Sequence, residues 1–140
     1  MRLGLEYNSG ASEVNFVGNW RALRETKTRP ALIFGTSSDR IGTPYGQAYF
    51  ATLSKSLQPQ LGVPLAPYVG LSYSGFEDRV LFPWGLNASF GQHWNGGIIH
   101  DGVRSHLAAT YSWQRYSATL LGVGNISGGR DLGVNFSVSF

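Results

Sequence analysis

Six stretches of this chain, residues 41–54, 56–76, 80–100, 105–114, 116–129 and 132–140, contain no Asp, Glu, Lys or Arg. Within them, apolar and small polar residues alternate one by one. The last stretch is the clearest: Leu132, Val134, Phe136, Val138 and Phe140 alternate with Gly133, Asn135, Ser137 and Ser139. A repeat of two is the side-chain period of a β-strand, whereas a helix repeats at 3.6. The same alternation runs through Leu3, Leu5 and Tyr7; through Val14, Phe16, Gly18 and Trp20; and through Leu65, Pro67, Val69, Leu71 and Tyr73. It returns in Trp84, Leu86, Ala88 and Phe90, and again in Leu107, Ala109, Tyr111 and Trp113. No window carries a convincing helical period, so residues 1–140 read as one all-β domain.

The charges that interrupt these stretches fall at Asp39-Arg40, Lys55, Glu77-Asp78-Arg79, Asp101 with Arg104, Arg115 and Arg130-Asp131. Gly, Ser, Asn and Pro cluster at most of the same places, which marks them as turns. The net charge of +3 is scattered rather than gathered into a basic stripe, so no nucleic-acid partner is expected. With no Cys there is no disulfide framework and no thiolate chemistry. No run of about 18 apolar residues exists to cross a membrane as a helix. The opening residues Met1 to Leu5 lack the features of a signal peptide, leaving a cytoplasmic chain or a mature chain behind an added Met.

Alternation alone does not say which face is wet. A soluble barrel needs charge on its outer face. Here only 14% of residues are charged, against roughly 25% in ordinary soluble domains. The polar face is mostly Gly, Ser, Asn, Thr and Ala, which suits the lining of a narrow barrel. The apolar face carries rings near strand ends (Tyr7, Trp20, Tyr73, Trp84, Trp113), as the aromatic girdles of a membrane barrel do. A transmembrane antiparallel up-and-down β-barrel is therefore expected, with Leu71, Leu107, Val134, Phe136 and Val138 facing lipid.

The final strand, from Leu132 to Phe140, resembles the last strand of small bacterial outer-membrane β-barrel proteins, where a terminal Phe after alternating apolar residues is the usual assembly signal. The resemblance implies a Gram-negative-type outer membrane, Phe140 as that signal, and the lipid bilayer and the outer-membrane assembly machinery as partners.

Ten strands are expected near 2–8, 13–23, 30–37, 44–54, 64–74, 79–91, 95–101, 103–113, 116–125 and 131–140. Asp101-Gly102 is expected to close a tight hairpin. An eight-strand count, with 75–102 as one long loop, is the alternative. Pro67 and Pro83 sit inside proposed strands, and Pro83 is a candidate bulge or strand start.

Candidate chemistry is sparse. His100, Asp101, Ser105 and His106 lie close in sequence, as a Ser–His–acid hydrolase of membrane lipid requires. Adjacent residues of a strand point to opposite faces, so Ser105 and His106 cannot pair with each other. A Ser105–His100 contact across the hairpin remains geometrically open. The histidines match no metal-ligand spacing, and no metal or other cofactor is expected. Arg2, Glu6 and Arg21 fall on the expected inner face, where a carboxylate needs a cation; Arg2 is its first candidate partner and Arg21 its second. The expectation is a largely filled, non-enzymatic barrel, with a narrow porin-like channel or a lipid-modifying enzyme as alternatives.

Overall fold

A computed structural model of the chain describes residues 1–8, 12–40, 43–124 and 129–138, without the side chains of Arg2 and Arg130. Phe140 lies outside the described residues. The described residues form an antiparallel up-and-down sheet of eleven strands. In order they are β1 (Arg2–Asn8), β2 (Glu13–Leu23), β3 (Ala31–Ser38), β4 (Gln47–Ser54), β5 (Leu65–Ser74), β6 (Arg79–Leu81), β7 (Trp84–Phe90), β8 (Trp94–His100), β9 (Ser105–Trp113), β10 (Tyr116–Gly124) and β11 (Arg130–Val138). A single helical turn, α1 (Gln58–Leu61), follows β4 and ends at Gly62, whose φ of 68° suits a residue without Cβ.

Each strand on the main path pairs with its neighbour, and β6 pairs only with β5. The expected single strand over 79–91 is thus two. Pro83, with no N–H to donate, ends the ladder at Leu81 and lets it restart at Trp84. The Pro83 carbonyl still accepts the Gly70 N–H at 2.8 Å, bridging the break. Pro67 stays inside β5, one residue beyond the last β4–β5 pair, Ser54↔Tyr68; there its carbonyl accepts the N–H of Lys55. The tight two-residue hairpin expected at Asp101-Gly102 is a four-residue loop closed by Asp101 N–H to Arg104 C=O at 3.0 Å. The Asp101 carboxylate accepts the N–H groups of Val103 and Arg104, and those bonds hold the wider turn.

β1 and β11 end the path, and among the described residues no pairing joins them. Closure into a barrel is therefore not part of the described sheet. The sheet does curve: Arg40, just past β3, reaches to 3.9 Å from Asp101, just past β8. The inner side of the curved sheet forms an open cleft of about 300 Å³ lined by residues of several strands and the loops that follow them.

The two faces differ in kind. Buried apolar side chains among the described residues are only Ala31, Ala48 and Leu81, while the most deeply buried side chains are those of His106 and Ser74. The opposite face leaves Phe136 76% and Phe16 70% exposed, along with Leu107, Val134, Leu71 and Val69. Aromatic neighbours pair across strands toward its two ends, Tyr49↔Tyr73 at one and Phe90↔Trp94 and Trp113↔Tyr116 at the other, with Ala51↔Leu71 and Leu120↔Val134 between.

Candidate functional site

The loops after β3, β5 and β8 emerge at the same end of the sheet, because every second connection of an up-and-down sheet does so. Their charges converge there. Arg40 donates through Nε to Glu77 at 3.1 Å and through Nη2 to the same oxygen, and its side chain is 4% exposed. Glu77 also meets Arg79 at 3.6 Å. Asp39 accepts from the Ser74 hydroxyl at 2.9 Å and from the N–H groups of Phe76 and Arg40. These bonds tie the loops after β3 and β5 into a polar cap, and Arg40 Nη1 comes within 3.9 Å of Asp101 in the loop after β8.

Asp101 continues the cap. It accepts from His106 Nε2 at 2.9 Å, and His106 Nδ1 accepts the Gly124 N–H at 3.3 Å. That geometry requires a proton at Nε2 and a lone pair at Nδ1. Burial pushes the Asp101 carboxyl up, but the bonds from His106, Arg104 and Val103 outweigh it and hold the group below the usual carboxylate range. The Nδ1 lone pair of His106 is already committed to a backbone N–H, so the ring serves as a tie between β9, β10 and the hairpin rather than as a base.

The other two candidates do meet. His100 Nδ1 lies 3.1 Å from Ser105 Oγ, and its ring stacks on Trp84 at 5.3 Å between centroids. Because His100 and Ser105 are opposed in the β8–β9 register and Trp84 faces His100, all three stand on the apolar, outward face. Asp101 and His106 point inward. The four residues therefore form two separate pairs on opposite faces, and among the described residues no carboxylate reaches the His100 ring. Ser–His catalysis needs an acid to orient the base, and this pair has none.

Glu6 stands opposite Asn15, and its carboxylate accepts from the Ser38 hydroxyl at 2.6 Å. Among the described residues Arg21 makes no ion pair, and the Arg2 side chain lies outside them. Where β2 and β3 part, beyond Gly18↔Thr36, the Gln47 amide takes the place of a strand: it accepts the Phe16 N–H at 3.2 Å and donates to the Phe16 carbonyl at 2.7 Å. Along the rest of the inner face hydroxyls pair across strands, Thr110 with Thr119 at 2.8 Å and Ser117 with Ser137 at 2.6 Å. No three His, Asp or Glu side chains converge on a metal position among the described residues.

In the sequence, Asp39, Arg40 and Glu77 look like ordinary turn charges. A usable signal was present: with strands assigned, all three and Asp101 fall in loops of one end. No protein family, curated protein or solved structure matches the chain.

Proposed function

We propose that this chain is a small outer-membrane β-barrel of a Gram-negative-type bacterium, closed by β1 against β11, with a largely filled interior and no enzymatic activity. The observation that carries the reading is the inverted distribution of side chains. Large aliphatic and aromatic groups stand exposed on the outer face, while the deepest side chains are His106 and Ser74. In water so much exposed apolar surface costs about 25 cal/mol per Å² and drives aggregation; in hydrocarbon that cost vanishes. Rings toward both ends with aliphatics between them match the two interfaces and core of a bilayer. Loops tied by Arg40 favour a capped barrel over an open channel, and the missing carboxylate at His100 disfavours a lipid-modifying enzyme.

The partners that follow are the lipid bilayer and the machinery that inserts such barrels through their terminal strand. Refolding into detergent micelles tests the reading. A closed barrel migrates differently on a gel before and after boiling, and it does not stay dispersed without detergent. Identical migration, together with a monodisperse protein in plain buffer, would overturn it.

A further inference from the structure

The charges of the described residues are sorted by end. The loops after β2, β4 and β9 leave the sheet opposite the Arg40 cap, and among the described residues Glu25 is the one carboxylate there. The remaining carboxylates lie in or near the loops of the capped end. Glu25 is itself taken: it meets Lys55 Nζ at 3.4 Å and accepts the Ser56 N–H at 3.0 Å. Arg24, Lys27 and Arg29 in the turn after β2, and Arg115 in the turn after β9, are exposed, and none has an acidic partner among the described residues. The first of these turns is braced. The Thr26 N–H donates to the Arg29 carbonyl at 2.9 Å, and the Thr26 hydroxyl accepts the Arg29 N–H at 3.1 Å. Lys55 donates to the Thr26 and Lys27 carbonyls, Gln60 to that of Lys27, and Arg29 Nη2 to that of Arg24 at 3.5 Å. Its acid and its carbonyls are consumed internally, so cations are what the turn presents.

Like charges gathered at one rim repel, and an anionic surface laid against them relieves that repulsion. The neighbouring side chains say which surface. Outward rings stand near the same turns: Trp20 stacks on Phe34 at 6.1 Å between centroids, and Trp113 pairs with Tyr116, whose hydroxyl accepts from Arg115 Nη2 at 3.0 Å. Rings and cations at one level are what hold a protein at lipid headgroups. A nucleic acid strand needs its cations along one groove, with ring faces free for stacking. Here the cations sit on separate turns around a rim, and Trp20 and Tyr116 already stack on Phe34 and Arg115. A zwitterionic headgroup brings its own ammonium to its phosphate; a net-negative headgroup leaves the phosphate free for these bases.

We propose that this basic rim binds the anionic phospholipid headgroups of the membrane leaflet at its end, through Arg24, Lys27, Arg29 and Arg115. The proposal rests on the membrane reading above, and its test separates the two. The full chain is refolded into phosphatidylcholine vesicles containing a minor fraction of phosphatidylglycerol. Bromine is carried on the acyl chains of the phosphatidylglycerol alone or, at the same amount of labelled lipid, of phosphatidylcholine alone. Trp20, Trp94 and Trp113 are exposed toward the basic end and report which lipid surrounds them. Brominated phosphatidylglycerol is expected to quench about two- to threefold more than brominated phosphatidylcholine. Arg24→Gln, Lys27→Gln and Arg29→Gln together, all at exposed positions, bring the ratio close to one without changing gel migration before boiling. Lys27→Glu alone lowers it part-way, and serves as the test if the triple variant does not refold. Equal quenching by the two labels in the wild type overturns the proposal and leaves the membrane reading standing, whereas quenching by neither overturns both. A preference that survives these substitutions overturns the assignment to this rim. So does retention of a single-stranded oligonucleotide with no preference for phosphatidylglycerol.

Discussion

Arg40 links three loops through one guanidinium, so its replacement should be felt well beyond its own turn. Arg40→Met leaves Glu77 with only the exposed Arg79 and Asp101 with only its hydrogen bonds, which costs about 1–3 kcal/mol. Arg40→Met combined with Glu77→Gln removes both partners and should cost distinctly less. Urea titration of the refolded protein compares the two; equal losses would mean that the pair is water-screened. Asp101 adds a pH signature. Its native carboxyl ionises below the ordinary value of about 3.9, so its stabilisation is complete above that value and is lost as pH falls through the native one. Between pH 5 and strongly acid solution the wild type should therefore lose more stability than Asp101→Asn. Parallel slopes in acid unfolding curves would contradict the assignment. Gly85 is constrained by space alone: a Cβ there would lie 2.5 Å from the Tyr68 ring and from the Ile98 carbonyl. Gly85→Ala should cost about 1–3 kcal/mol, and Gly133→Ala, whose nearest neighbour is at 3.8 Å, much less.

Strands were legible because a period of two is written residue by residue. The alternation in 132–138 needs no knowledge of what lies across from it, and β11 follows it. The hairpin after β8 was legible in place but not in length, since the Asp101 carboxylate bonding its own turn is invisible to a two-residue Asp-Gly rule. The break at Pro83 was visible as a proline; that it divides one strand into β6 and β7 depends on β5 serving both. The cap was not legible from Arg40 or Glu77 singly, because the curvature that brings Asp101 to Arg40 is a property of the whole sheet. The same holds for His100, whose outward side is fixed by register while its lack of an acid follows from where Asp101 turns. Element by element, the outer face yields its own test. In vesicles, Val134→Arg or Leu71→Arg should cost about 2–4 kcal/mol, and Arg at the exposed turn residue Gln92 close to nothing. Gly70 is unsuited as an inner control, because any Cβ there meets the Ala51 carbonyl at 2.8 Å. Equal tolerance at Val134 and Gln92 would remove the outer strands from hydrocarbon.

At the scale of the whole molecule, one question governs the others: whether the outer face meets lipid. The tryptophans answer it, because all four, Trp20, Trp84, Trp94 and Trp113, are exposed on that face. A soluble protein with these rings at its surface and a membrane barrel with them at the interface differ in which quencher reaches them. The protein is refolded into phospholipid vesicles, and its tryptophan emission is measured with bromine-labelled acyl chains and, separately, with aqueous iodide. The account predicts blue-shifted emission, strong quenching by bromine placed high on the chains, and weak quenching by iodide. Strong iodide quenching with no effect of brominated lipid would contradict it.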